Sequence, residues 1–440
     1  MLDAPTLSRL EAVGIGFVRL IWADANGMLR GECVHVSQMR RLANEGLGVV
    51  TGIMGTTSND HIPPDLCVGA VGQVWLQPDA TTLRTLPWAP TQAACMGDLV
   101  QRDGSPWVCC PRRVLRQQID ALAAHGFTMH VGFEPEFTLL VEDDDASLRP
   151  VDAWHYASIH GLNSETTLLE AMADALVAQG VVVETMLAES GSGQYELAIE
   201  HDLPLVTADR MLIVRETVPV IARAHGLVST MLPKVLPDEA GNGCHMHFSL
   251  LRDGANCMSG GGSRDFTPEA EAFTAGVLEH LPGLVGLTAP SPPSAVRIGP
   301  GAWAGAYQCW GWDNKEAPIR VPSEPRGGPC PQHVEFKTSD ATCNPYLAIA
   351  GLIAAGIDGL KRTLSLPEPL QVDPATCTPT PLRLPTTVDA AMDALAGDDV
   401  LRSALGPDLH SVAIAVRRLE ASHHDGCDFD ELVSRLARCW

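Results

Sequence analysis

Basic side chains are scarce in this 440-residue chain: 30 lysines and arginines face 53 aspartates and glutamates, a formal charge of −23. That balance repels nucleic acid and anionic membrane, so neither is expected as a partner. Long apolar runs are missing too. The longest, residues 347–357, is rich in alanine and glycine and too short to cross a bilayer. Residues 1–10 carry no charged-then-apolar leader. The thirteen cysteines lack metal-finger spacing; Cys109 and Cys110 are adjacent, and most others stand singly in apolar surroundings. They read as reduced thiols, and a cytoplasmic location is expected. Neither a Gly-x4-Gly-Lys-Ser/Thr loop nor a Gly-x-Gly-x-x-Gly turn is present, so a nucleotide would have to be held in some other way. Internal repeats and low-complexity segments are also lacking.

What remains is an ordinary globular composition, 45% apolar and 19% charged, long enough for more than one domain. The first hundred residues alternate apolar runs with turns. Residues 17–22 predict a strand, Asp24-Ala25-Asn26-Gly27 a hairpin turn, 29–36 the return strand and 71–76 another strand. One short helix is expected over 37–44. From Pro111 the pattern changes to helices between strands. Residues 112–125 form an amphipathic helix stopped by Gly126; 164–179 follow as a helix with Ser164 as N-cap; 207–225 make a third, closed by Gly226. A strand is expected over 181–185. Asn344-Pro345 marks a helix start, 367–385 a proline-rich crossing loop, and two short helices finish the chain. The fold class is α+β: a small mainly β domain over 1–108 and a larger one over 109–440.

The chemistry lies in four short stretches. Residues 131–140 carry Glu134 and Glu136, and 192–199 carry Gln194 and Glu196. Residues 244–250 carry His245, His247 and Ser249, and 334–338 carry Glu335 and Lys337. A spacing of two on a strand puts both side chains on one face. Four such strands side by side project carboxylates and imidazoles into one cavity, and clustered buried carboxylates require cations. With Glu189 added, the ligand set is Glu134, Glu136, Glu189, Glu196, His245 and Glu335. Oxygen-rich donors favour Mg²⁺ or Mn²⁺ over Zn²⁺. Five carboxylates exceed the charge of one divalent ion, so two or more metals are expected, the usual device for phosphoryl transfer.

Three phrases resemble the glutamine synthetase superfamily: Gly132-Phe-Glu-Pro-Glu-Phe137, Glu189-Ser-Gly-Ser-Gly-Gln-Tyr-Glu196 and Gly241-Asn-Gly-Cys-His-Met-His-Phe-Ser-Leu250. Weaker ones are residues 310–320, Val334-Glu-Phe-Lys337 and Asn344-Pro-Tyr-Leu347. Trp303-Ala-Gly-Ala-Tyr307 and Cys309-Trp-Gly311 are similar to bacterial synthetase-like ligases and to the synthetase-like half of fungal FluG proteins. The resemblance implies a β-grasp N-terminal domain, a catalytic domain with a curved antiparallel sheet funnel, and a homo-oligomer, typically a dodecamer of two hexameric rings. It implies that Glu136, Glu189 and Glu196 hold one metal, and Glu134, His245 and Glu335 the other. His247 and Ser249 would lie by ATP, with Lys315 and Arg320 at its phosphates. Arg297 and Gly241 would contact the acid substrate, with Lys337 near its carboxylates. The implied reaction is ATP-dependent: the γ-carboxylate of glutamate is phosphorylated, and an amine then displaces phosphate to give an amide.

The chain departs from that family at two acids that serve ammonium. A flap of the form Pro-Gly-Tyr-Glu is here Pro300-Gly-Ala-Trp303, and a Phe-Asp-Gly-Ser-Ser loop corresponds to Ile53-Met54-Gly-Thr-Thr57. Trp303 and Met54 would make the amine pocket apolar. Such a pocket favours a larger organic amine through burial and cation–π contact, and the missing acids disfavour a polyamine. Lys337 and Lys315 replace customary arginines and lose the bidentate fork. Trp303, Arg297 and Arg320 form the expected catalytic group. Two alternatives stand beside the ligase: ordinary glutamine synthesis with another base, and a synthetase-like assembly or signalling protein.

Overall fold

The computed structural model describes residues 4–262, 264–323 and 330–440. Its first sheet has six strands: β1 (Phe17–Ala23), β2 (Leu29–His35), β3 (Leu47–Val50), β4 (Gln73–Pro78), β5 (Arg84–Leu86) and β6 (Ala89–Val100). Their order is β2-β1-β6-β4-β3, with β5 on β6; only β1 and β6 run parallel. The expected hairpin turn is present. Asp24 accepts from Met28 N at 2.9 Å, and Gly27 takes φ 80° where its α-carbon passes the carbonyls of Thr342 and Cys343. A β-carbon there would sit 3.0 Å from both oxygens, so glycine answers two demands at once. Asn344 Nδ2 donates to Asp24 O and Asn26 Nδ2 to Glu420, pinning the hairpin to the rest of the chain.

The second sheet has ten strands: β7 (Thr128–Glu142), β8 (Leu148–Pro150), β9 (Val183–Ala188), β10 (Gln194–Ile199), β11 (Val228–Thr230), β12 (Cys244–Arg252), β13 (Ala255–Asn256), β14 (Trp310–Trp312), β15 (Ile319–Val321) and β16 (Val334–Phe336). Its main path runs β14-β15-β16-β12-β7-β10-β9, with β8 and β11 on β7 and β13 on β12. The sheet is mixed rather than wholly antiparallel. β14 and β15 pair in parallel because the chain folds back through Asp313, at φ 53°, and re-enters in the same direction. The long central strands bury Phe133, Phe137, Met246 and Phe248 on the core side. Their other face is free to carry polar groups.

Helix limits moved where capping chemistry differed from expectation. Ser158, not Ser164, caps: its hydroxyl accepts from Gly161 N and starts helix Ile159–Ser164. Ser164 ends that helix and donates to Gly161 O, and the next helix, Thr166–Val177, has Glu165 at its N-cap. The third expected helix begins three residues early at Pro204, whose missing N–H is harmless at a first helical position. Helix Pro345–Arg362 starts as read, with Asn344 Oδ1 accepting from the N–H groups of Tyr346 and Leu347. Four helices, rather than two, follow residue 385 among the described residues.

Candidate functional site

Strand register assembles the site. Across the antiparallel pairs, Glu134 faces His245, His247 faces Glu335, and Glu136 faces Glu196. Glu189 follows β9 on a turn closed by its N–H to Gln194 O at 2.8 Å. All six expected ligands line one cavity of about 610 Å³, together with Gly241, Arg297, Trp303, Lys315, Arg320 and Lys337. His247 and Ser249 line an adjoining cavity of about 430 Å³ with His333, and Glu134 belongs to both.

Oxygens of Glu134 and Glu335 and a ring nitrogen of His247 lie within 4.8 Å of one another. His245 Nδ1 stands 3.6 Å from Glu134 and 3.4 Å from Glu335. Both imidazoles therefore reach the same carboxylates, although only His245 was expected to. Glu335 is gripped by Arg320 at 2.6 Å and by Lys337 at 3.2 Å. Glu136 accepts from Gln194 Nε2 at 2.6 Å and from Gly243 N at 2.9 Å. Arg297 is buried; it donates to Ser339 O at 3.0 Å, and its Nη2 lies 3.3 Å from His245 Nε2.

The electrostatics divide the cluster in two. Burial, and then the charges of Glu134, Glu136, Glu189 and Glu335, push Glu196 up to about 9. Burial and Glu136 raise Glu189 to about 7, and burial raises Glu136 itself. Burial and mutual repulsion hold these three acids against ionisation, and Arg297, Lys315 and Lys337 do not offset them. On the other side, burial opposes ionisation of Glu134, but hydrogen bonds from His245 and His247 outweigh it and hold that carboxyl low. Burial likewise raises Glu335, and Lys337, the histidines and Arg320 more than compensate. Burial brings His245 down to about 4, leaving a neutral imidazole able to ligate. Carboxylates converging with a neutral imidazole, three of them short of counter-charge, suit hard divalent cations.

Glycine spacing in the 241–243 turn is geometric. A β-carbon on Gly241 would meet Pro233 O at 2.2 Å; one on Gly243 would stand 2.7 Å from Arg297 Nη2 and 2.9 Å from Glu136 Oε1. The flap is equally specific. The N–H groups of Gly301 and Trp303 donate to the carboxylate of Glu316 at 3.3 and 3.2 Å. Trp303 takes φ 52° and leaves half its surface exposed. Lys315 Nζ lies 5.1 Å from its ring centroid and 5.6 Å from that of Tyr156.

Met54 does not belong here. Its side chain is fully buried in the core of the chain, within the 3-10 turn Thr51–Gly55, and does not line the cavity. Alignment with an acid led to the expectation that it lines the amine pocket, whereas the thioether at that turn folds inward among apolar neighbours. Sequence reasoning also missed Tyr156, Lys234, Asp238, Glu239 and Glu316. Lys234 and the two acids lie in a loop without periodicity, where no pattern marks direction. Tyr156 follows Trp154 in a polar stretch, the one signal that could have drawn attention to it.

A family model for the glutamine synthetase N-terminal domain matches residues 5–107, and one for the glutamine synthetase catalytic domain matches residues 108–426. The chain is 36% identical over 433 residues to a gamma-glutamylpolyamine synthetase, GlnA3, of Streptomyces coelicolor, covering 96% of this chain and 93% of that one. It is 31% identical to a glutamine synthetase of Thermus thermophilus, over 95% and 94% of the two chains. Among solved structures, a glutamine synthase homolog superposes with a TM-score of 0.86 at 30% identity, covering 97% and 99%. A GmaS/ADP complex superposes equally well at 27% identity, covering 99% of each. The chain belongs to the glutamine synthetase family. It is an ATP-dependent carbon–nitrogen ligase.

Proposed function

We propose that this ligase forms a γ-glutamyl amide from glutamate and an organic primary amine through γ-glutamyl phosphate. The carrying observation is the cavity in which six ligand-type residues and five cations meet a flap ending in tryptophan. Glu136, Glu189 and Glu196 are assigned to one Mg²⁺ or Mn²⁺, and Glu134, His245 and Glu335 to a second, with His247 within reach of it. Bound there, the ions would neutralise the phosphates and clamp the transferring oxygens. Arg297 and Lys337 are assigned to the acid's carboxylates, with Gly241 giving the backbone close approach. Lys315 and Arg320 face the phosphates, and His247 and Ser249 the nucleotide side. A γ-carboxylate oxygen attacks the terminal phosphorus of ATP and ADP leaves. The neutral amine nitrogen then attacks the acyl carbon, phosphate departs with its oxygen, and the proton that the nitrogen sheds leaves with the phosphate. The residues contribute orientation and fixed charge to both steps.

The amine side rests on Trp303, now without Met54. Tyr156 adds a second aromatic face, and Lys315 between them already fills a cation's place. Asp238, exposed and lining the same cavity, supplies an acid of the kind the flap lost, whereas Glu239 beside it is held by Ser192 N and Oγ. Asp238 reopens a polyamine as substrate, in keeping with the Streptomyces relative's name. The division at 108/109 is supported by family models that meet between 107 and 108. A dodecamer of two hexameric rings and a cytoplasmic location are proposed from family membership; among the described residues no helix is long and apolar enough to cross a membrane. The test is phosphate release from ATP with glutamate, Mg²⁺ or Mn²⁺, and a panel of ammonia, monoamines and polyamines. Turnover with an organic amine at least tenfold above ammonia is expected; activity with ammonia alone overturns the reading.

A further inference from the structure

All thirteen cysteines are free, and two of them meet. Cys67 Sγ and Cys109 Sγ stand 3.9 Å apart, the one thiol–thiol hydrogen bond among the described residues. They are 42 positions apart in the chain, so the fold and not sequence neighbourhood makes the contact. It also crosses a boundary. Cys67 lies in the part matched by the N-terminal family model, and Cys109 in the part matched by the catalytic one.

Both sulfurs are carried on anchored backbone. Cys67 lies in the connection from the turn Thr51–Gly55 to β4, beside the buried Val68. Thr51 ties down the residues that follow: its N–H donates to Gly72 O at 3.2 Å, and its hydroxyl lies 3.2 Å from Gly69 O. Cys109 sits in a turn closed by Cys110 N on Trp107 O at 3.1 Å, just before helix Pro111–Ala124. Closing the gap to a bond of about 2.05 Å is a movement of side-chain size. The two differ in access. Cys67 is exposed and Cys109 is buried, so an oxidant in solvent meets Cys67 first. Burial, then the charge of Cys67, raise the Cys109 thiol, with Asp408 and Cys110 acting in the same sense. Cys110, next in the chain, is engaged elsewhere: its sulfur accepts from Leu99 N at 3.2 Å.

We propose that Cys67 and Cys109 form a peroxide-responsive thiol pair, in which Cys67 is oxidised first and Cys109 resolves it to a disulfide. The Cys67 sulfur attacks one oxygen of hydrogen peroxide. The O–O bond breaks, the sulfur becomes a sulfenic acid by two-electron oxidation, and the peroxide is reduced to water. The Cys109 sulfur then attacks the Cys67 sulfur; the S–O bond breaks, and hydroxide leaves as water with the Cys109 proton. A neutral sulfenic acid removes the Cys67 charge that opposes ionisation of Cys109. The bridge ties the N-terminal part to the catalytic part, and a dithiol returns both thiols, so in a reducing compartment it is transient. This chemistry is separate from amide formation and does not depend on it.

The test treats the full-length protein with hydrogen peroxide, alkylates the remaining thiols under denaturing conditions and maps the peptides by mass spectrometry. A peptide pair joined through Cys67 and Cys109 within one chain is expected, with fragment ions separating Cys109 from Cys110, and dithiothreitol should restore both thiols. Cys67→Ser changes an exposed position and leaves the core as it is; it should form no bridge and keep Cys109 alkylatable. Cys33→Ser removes another exposed cysteine and should leave the bridge unchanged. Oxidation of Cys67 to sulfinic acid with no bridge, a bridge from Cys67 to any other cysteine, or loss of the bridge in Cys33→Ser would each overturn the proposal.

Discussion

Replacing Glu196 by glutamine separates what the carboxylate cluster does to stability from what it does for catalysis. In the metal-free fold, burial and four neighbouring carboxylates raise Glu196 from 4.5 to about 9. An acid whose folded pKa lies above its unfolded one stabilises fully below the unfolded value, and that contribution is lost as pH rises toward the folded value. The window therefore runs from pH 4.5 to about 9. At pH 7 the interval already traversed is about 2.5 units, or about 3 kcal/mol at 1.36 kcal/mol per unit. Glutamine keeps the shape and removes the charge. With chelator at pH 7, Glu196→Gln should be the more stable protein by about that amount, a rise of about 3 °C in Tm for a chain this long. The gap should close toward pH 4.5. Saturating Mg²⁺ or Mn²⁺ should reverse the order, because only the parent offers the ligand, and amide synthesis should be lost in the variant. Differential scanning calorimetry across pH with and without metal reads all of this. A variant less stable than the parent in chelator, or one with an unchanged pH slope, refutes the reasoning.

Other outcomes follow from single contacts. Trp303→Glu restores an acid to the flap and should raise ammonia turnover at least tenfold while weakening the organic amine, read by phosphate release. Gly243→Ala drives a β-carbon against Arg297 and Glu136 side chains that can shift without unfolding; kcat/KM should fall about hundredfold with the circular dichroism spectrum unchanged. Met54→Ala should lower stability by about 3 kcal/mol in urea and leave the amine preference as it was, since the side chain is core. His280 bridges Asp398 at 2.7 Å and Asp358 at 3.0 Å; burial opposes its charge, but both carboxylates outweigh that and raise its pKa. Its contribution is complete below pH 6.5 and fades as pH climbs through the raised value, so His280→Ala should lose about 2 kcal/mol at pH 6 and less at pH 9.

The convergence of these acids and histidines on one cavity was legible because period-two spacing on a strand is a strict geometric rule. Glu134 with Glu136, and His245 with His247, could not be split between faces once β7 and β12 were strands. Which strands would neighbour one another was not legible from spacing; that came from the family resemblance and is visible only in the register. Capping was legible where the side chain is an unambiguous acceptor, as at Asn344, and failed at Ser164, whose hydroxyl donates backward to Gly161 O. The flap tryptophan stood out as a substitution, but its anchor Glu316 did not, because a carboxylate serving two backbone N–H groups carries no periodic signature. Met54 failed for a related reason: correspondence of position does not dictate whether a side chain points to solvent or core.

The flap and the nucleotide side are joined by two adjacent residues. Glu316 holds the N–H groups of Gly301 and Trp303, and Lys315, its neighbour, sets its ammonium between Trp303 and Tyr156. A tryptophan at φ 52° is held in a sparsely populated conformation, and those two hydrogen bonds are what the sequence places against the strain. Lys315 cannot serve a phosphate and remain between the rings at once. On the proposed role of Lys315 at the phosphate, its departure would vacate an aromatic pair that an ammonium group fits, and phosphoryl transfer is then expected to precede amine entry. Glu316→Gln leaves Lys315 untouched but weakens the acceptor to a neutral amide. It should therefore raise KM for the amine severalfold and leave ATP-dependent phosphorylation of glutamate near the parent rate, as read by glutamate-dependent ADP formation in a single turnover. Equal losses in both steps would show that the flap and the lysine act independently.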